Sequence, residues 1–213
     1  PRKLTSLQCG FPIDSPSAIS SLPPTMTKLH LWTAPPADIE KYCPPNITNV
    51  SFSSRSVSFK HLSPKLRTFC FDKCTHPERL IDLPSGIKKL KLGALADTKE
   101  ESGEAWSAPH GWSLPSTLTT LIAVEGVSFN DRILALLPPT LTKLHVANET
   151  PTVTTRGLAY LPPSLTYCFF YSIELTEHTT ALIPTLDSYQ KDRSFELEQL
   201  VDLTRTLLPR SIT

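Results

Sequence analysis

The residues best equipped for chemistry are few and poorly placed for it. Cys70 and Cys74 stand four positions apart. No second pair and no suitably spaced histidines complete a zinc motif around them. His30 and His145 occupy equivalent positions of a repeating segment, at least four units apart, so they cannot share one site. There is no Gly-x-Ser-x-Gly elbow, no Walker A loop and no dinucleotide fingerprint. A backbone cradle for phosphate draws on glycine, and the chain has 7, scattered. A non-enzymatic chain with no metal and no cofactor is the expectation.

The remaining polar chemistry bears on compartment and partner. The 5 cysteines are an odd number, so at least one lies outside any intrachain disulfide. Cys9, Cys43 and Cys168 fall where equivalent positions hold a core leucine or its substitute, and read as small buried hydrophobes. That pattern points to a reducing, cytoplasmic compartment. The sequons Asn46-Ile47-Thr48, Asn49-Val50-Ser51 and Asn148-Glu149-Thr150 argue for the alternative, secretion or the cell surface. No run approaches the ~18 apolar residues of a membrane span, and no signal-peptide pattern is present. No membrane insertion is expected. A net charge of +1, from 21 Lys+Arg against 20 Asp+Glu, gives no general electrostatic case for nucleic acid.

The elements that must position these residues come from a repeat. Leu22-Pro23-Pro24-Thr25-Met26-Thr27-Lys28-Leu29-His30-Leu31 returns as Leu114–Ala123, Leu137–Val146 and Leu161–Phe170. Weaker copies start at Cys43, Leu62 and Leu83, and one at Ile183-Pro184 drops a residue. The aligned central apolar residue is Leu4, Met26, Ile47, Leu66, Ile87, Leu118, Leu141, Leu165, Leu186 and Ile212, at spacings of 19 to 31 residues. The mean, about 23, lies inside the leucine-rich-repeat window. Thr follows the central residue in most copies, as at Thr27, Thr119, Thr142 and Thr166.

Leu-x-x-Leu-x-Leu is a short strand whose alternate residues point inward. One such strand cannot bury its face alone. Stacked copies form a parallel sheet over a continuous core, and 39% hydrophobic residues are enough to fill it. The chain has 21 Pro, and proline costs about 3 kcal/mol inside a helix. Long helices are therefore excluded from most connections, which should be irregular, extended or short 3₁₀. Pro162-Pro163 and its counterparts favour an extended or polyproline entry to each strand. One helix is expected near 194–207, where Phe195, Leu197, Leu200, Val201, Leu207 and Leu208 approximate helical periodicity.

The motif resembles the leucine-rich repeat superfamily along essentially the whole chain. Its L-P-x-x-L-T-x-L unit is similar to the short repeats of bacterial secreted effectors and to the FNIP repeats of amoebae. Phe129-Asn130-Asp131-Arg132-Ile133 ahead of Leu137-Pro138 matches the phenylalanine–asparagine element of the latter. The resemblance implies a curved leucine-rich-repeat solenoid with its parallel β-sheet on the concave face, used for protein recognition. It carries over no catalytic residue. Residues 1–213 read as one array of nine to ten repeats. Pieces of the motif stand at both ends, so the array is expected to be a window of a longer solenoid, with open ends offering self-association.

The third, fifth and seventh positions of each copy should point away from the core. In the copy starting at Leu165 these are Tyr167, Phe169 and Tyr171, an exposed aromatic row of the kind that anchors partners. The preceding copies add Ile122 and Val124, then Lys143 and His145. A second row is Lys28, His30 and Trp32, and a third is Lys89 and Lys91. The lysines make the face mildly basic. The long spacing between Ile87 and Leu118 marks an insertion with Asp97, Glu100, Glu101, Glu104, Trp106, His110 and Trp112. Its Trp106 and Trp112 are further candidate contacts. The expected function is non-catalytic recognition of a protein partner on the concave face. The alternatives are the substrate-recognition part of a larger enzyme, such as a ubiquitin ligase or kinase, and a structural array that self-associates.

Overall fold

The computed structural model describes residues 3–10, 16–31, 43–52, 62–73, 83–94, 113–124, 129–147, 153–154, 156–171 and 195–196. Its described strands are β1 (Ser6–Cys9), β2 (Lys28–Leu31), β3 (Asn49–Phe52), β4 (Thr68–Lys73), β5 (Lys89–Ala94), β6 (Thr120–Ala123), β7 (Lys143–Val146), β8 (Tyr167–Phe170) and β9 (Phe195–Glu196). They form a single sheet in chain order. Neighbours from β1 to β8 pair in parallel. This is a β-solenoid. The described connections contain only short helical pieces, α1 (Pro16–Ser20), α2 (Asp131–Leu134) and a 3₁₀ turn, Gly157–Tyr160.

Register follows the repeat. Leu29 pairs with Val50, Val50 with Phe69, and so on through Leu90, Leu121, Leu144 and Cys168. A second inward column runs Leu31, Phe52, Phe71, Leu92, Ala123, Val146 and Phe170, all buried. A third comes from the turns, with Met26, Ile47, Leu66, Ile87, Leu118 and Leu141 buried beneath them. A one-residue slip would turn two of these columns outward, which is why the repeat and the register coincide. The widest side chains meet in the middle of the array. The Phe69 ring lies 6.2 Å from Phe52, edge to face, and 5.3 Å from Phe71.

The prolines do something other than the extended entry expected of them. In the copies from Met26 to Leu165 the central residue donates its N–H to the carbonyl three residues back: Met26 to Pro23 at 3.0 Å, Leu141 to Pro138 at 3.0 Å, Leu165 to Pro162 at 3.1 Å. The motif is thus a β-turn. Its second residue is Pro24, Pro45, Pro64, Pro139 or Pro163 in the copies that have proline there, and proline's fixed φ suits that position. Polyproline and turn geometries share this φ and part at the ψ angles that follow and at the hydrogen bond the turn closes.

The recurrent threonine has a structural cause as well. The Thr5 carbonyl accepts the N–H groups of Thr27 and Lys28 at 2.9 and 3.1 Å, and the Thr27 hydroxyl at 3.2 Å. Thr142 does the same for the next copy. It accepts the N–H groups of Thr166 and Tyr167 at 2.8 and 3.1 Å, and the Thr166 hydroxyl at 3.0 Å. A ladder of side chains therefore runs beside the backbone ladder. Arg67 interrupts it and instead sends its guanidinium to the Gly86 carbonyl at 3.0 Å. A Cβ at Gly86 would meet the end of that guanidinium, so glycine leaves the room that Arg67 occupies here.

The Phe-Asn-Asp segment builds a lock between two connections. Phe129, Ile133 and Leu134 are buried. Asn130 caps α2 by accepting the Ile133 N–H at 3.1 Å. The Asp131 carboxylate accepts both the N–H and the hydroxyl of Thr154, each at 2.7 Å. Gly157 lies against Asp131 so closely that an added Cβ would overlap the carboxylate. Gly157→Ala should therefore push Asp131 off Thr154 and cost about 1–3 kcal/mol. Chemical denaturation followed by circular dichroism measures this. A midpoint that does not move would show that the contact yields freely.

One expectation is corrected here. Phe195 and Glu196, placed in a helix over 194–207, form β9 and pair antiparallel with β8. Ser194 and residues 197–207 lie outside the described residues. Alternation at Phe195 and Leu197 fits a strand as well as a helix over so short a stretch. The exposed edge of β8 supplies unpaired backbone groups that a strand can satisfy.

Candidate functional site

Two rows of side chains leave the sheet on the side opposite the core. The first is Ser6, Lys28, Asn49, Thr68, Lys89, Thr120, Lys143 and Tyr167. The second is Gln8, His30, Ser51, Cys70, Lys91, Ile122, His145 and Phe169. Neither row contains Asp or Glu through β8, and the antiparallel pairing sets Glu196 of β9 opposite Phe169 at the end of the second row. Most of this surface is polar or small. Its character changes over β6 to β8, where Ile122, His145, Tyr167 and Phe169 gather.

Tyr167 is 44% exposed and Tyr171 37%, although both are large and largely apolar. Tyr167 is oriented by Cys168, its buried neighbour in β8. Tyr171 is held just beyond the strand, where its N–H donates to the Val146 carbonyl at 2.9 Å. Phe169 is half-buried, with its ring stacked on His145 at 4.6 Å and an interplanar angle of 14°. Desolvation holds the His145 imidazole below its ordinary pKa, so it favours the neutral ring at neutral pH. A neutral ring stacks on Phe169 without giving up the hydration of a charge.

Beside the stack is an open groove of ≈ 220 Å³ lined by Thr120, Leu121, Ile122, Lys143, His145 and Tyr167. Leu121 is a buried core residue, so the groove reaches down to the core between the outward side chains. Parallel pairing creates it. Thr120 faces Lys143 and Ile122 faces His145 across one strand boundary, while Lys143 faces Tyr167 and His145 faces Phe169 across the next.

The structure therefore brings Lys143, His145, Tyr167, Phe169 and Tyr171 together. Lys28 and His30, on β2, share the two rows but stand five strands from β7, roughly 24 Å at ordinary strand spacing. They belong to another part of the face. Trp32, Trp106 and Trp112 lie outside the described residues, as does the acidic insertion. Thr120 and Leu121 line the groove without having been singled out in the sequence. The signal that could have found Thr120 was register, since it is the third residue of its copy just as Lys143 and Tyr167 are of theirs.

Among the described residues no group of three His, Cys, Asp or Glu is placed to hold a metal ion, and no helix is long and apolar enough to cross a membrane. The thiol beneath the site is Cys168, which burial pushes from 9.0 up to about 12. It is held as an unreactive thiol. Iodoacetamide at about pH 8 should leave it unmodified in the folded chain and alkylate it after denaturation, by mass spectrometry. The unfolded chain ionises this group at the lower value. Its contribution to stability is thus complete below 9.0 and is lost as pH rises toward about 12, by about 1.4 kcal/mol per pH unit. Cys168→Ala should flatten that part of the stability profile. An unchanged profile would mean that the thiol is not desolvated.

Compared with known proteins, the chain matches no family model, no curated protein and no solved structure.

Proposed function

We propose that the chain is a non-catalytic recognition module of the leucine-rich-repeat type, which binds a protein partner on the outward face of its sheet over β6 to β8. The observation that carries this reading is the exposure of Tyr167 and Tyr171 beside a groove floored by Leu121 and flanked by Lys143 and His145. A monomeric surface seldom leaves such apolar area together unless something covers it. Tyrosine is also among the residue types enriched as binding anchors, since it covers a large area and keeps a polar end. The face needs no movement to be presented, because Lys143, His145, Tyr167 and Phe169 stand on strands whose other side is core.

The test compares affinity capture by the unaltered chain with capture by a Tyr167→Ala, Phe169→Ala variant that keeps its circular dichroism spectrum. A partner retained by the first and lost by the second is the expected result. Equal capture by both would place recognition elsewhere and end this reading.

A further inference from the structure

We infer that a second molecule of this chain pairs with the first along β1, antiparallel and about a two-fold axis, so that the two sheets run on as one. This goes beyond the recognition reading and uses a different surface. β1 ends the sheet, and among the described residues no strand pairs with its other side. The core stops at the same place. Met26, Leu29 and Leu31 are at most 1% exposed, whereas their counterparts one repeat earlier, Leu4, Leu7 and Cys9, are only half-buried. The inward columns therefore finish at a partly wetted apolar edge.

Register directs the hydrogen bonds of β1. Lys28 lies opposite Ser6 and donates its N–H to the Thr5 carbonyl at 3.1 Å. In a parallel ladder the Lys28 carbonyl then accepts from Leu7. Thr5, Leu7 and Cys9 thus turn their backbone groups toward β2. Ser6 and Gln8 turn theirs to the open side, where they form a template for another strand. Antiparallel pairing with Leu7 on the two-fold axis sets Ser6 of each molecule opposite Gln8 of the other. Each of these pairs exchanges N–H and C=O bonds in both directions, which satisfies the open groups of both strands. The two Leu7 side chains meet across the axis, and the inward columns of the two molecules close over one another.

Three observations favour this occupant. The sheet takes an antiparallel strand at its other end, where β9 lies on β8. That edge is thereby occupied at Phe169 and Phe170, so head-to-tail stacking is hindered and a two-fold pair is the closed solution. β1 also lacks the devices that protect an edge. Ser6-Leu7-Gln8-Cys9 contains no lysine, no proline and no charge. Finally, a net charge of +1 sets up little repulsion between two molecules.

Sedimentation velocity of the full chain over about 1–300 µM tests the pairing. The mean mass should rise with concentration from 23.6 kDa to twice that value and stop. Hydrogen exchange read by mass spectrometry should show β1 (Ser6–Cys9) exchanging faster in the dilute chain than in the concentrated one. Gln8→Pro removes an edge N–H and no bond to β2, so it should weaken the dimer about tenfold or more. Leu7→Lys should abolish it. In the single molecule the ammonium reaches water past the open edge, whereas in the dimer two ammonium groups would meet on the axis. Tyr167→Ala should leave the mass unchanged. A chain that stays at 23.6 kDa throughout, or a mass that grows past two chains, would overturn the inference. So would a dimer without added protection of β1, or one that survives Gln8→Pro and Leu7→Lys in chains with an unaltered circular dichroism spectrum. A dimer lost on Tyr167→Ala would place the second molecule on the outward face and overturn it too. Exchange is followed on the unaltered chain, so this test holds even where a variant fails to fold.

Discussion

Phe69→Ala lowers the stability of the array by about 3–5 kcal/mol, the range for truncating a buried phenylalanine. Phe69 is 0% exposed and occupies the centre of the inward column in β4. It touches Phe52 in the preceding strand and Phe71 in its own. Two properties put the cost at the upper end. The neighbours are rings with few rotamers, so they cannot collapse into the space. The space also lies inside a ladder whose register fixes β3 and β5 on either side. In a solenoid each unit contacts only its neighbours, and stability is close to a sum of unit and interface terms. A defect in β4 weakens two interfaces at once. Urea denaturation should therefore show an earlier midpoint, with any second transition reporting the separate melting of the two flanks. A loss below about 1 kcal/mol would mean that the phenylalanine cluster is loosely packed.

Tyr167→Ala combined with Phe169→Ala costs about 100-fold or more in affinity for a partner of the outward face. Anchors of this type contribute about 2 kcal/mol or more each on truncation, and each 1.4 kcal/mol is about tenfold. The effects will not simply add, because the two residues stand on one strand beside a shared groove. Removing Phe169 also frees the His145 ring from its stack. Fold stability should fall by about 1–3 kcal/mol, the worth of an aromatic pair plus the apolar area that half-buried Phe169 gives up, while Cys168 and Phe170 keep β8 attached to the core. Titration of the captured partner against both proteins, alongside thermal melts, separates the two effects. Affinity that survives the double substitution would remove the aromatic row from the site.

The repeat was legible because its physics is local. A strand that must bury alternate residues writes that requirement at each copy, so Leu29, Leu90, Leu121 and Leu144 could be aligned before any pairing was known. The aromatic row was legible for the same reason, since Tyr167 and Phe169 alternate with Cys168 and Phe170. The turn at Pro138-Pro139 was not legible, because proline's φ serves both an extended segment and a turn. Nor was β9. Phe195 and Glu196 respond to the open edge of β8, and an edge is a property of the whole sheet.

The sequence by itself determined the period, the inward columns, the parallel stacking and which residues of each strand leave the core. All of these depend on spacing along one chain. Only the tertiary structure decided which outward residues become neighbours. Lys143 is 24 positions from Tyr167 and 23 from Thr120, yet the three form one line because parallel strands pair like with like. It also decided that Asp131 meets Thr154 and Gly157, and that the Thr142 carbonyl collects three donors from the next copy. Contacts of this kind exist only after loop closure has placed separate units at strand spacing. That closure is driven by the shared core, so the local pattern of one copy carries no record of them.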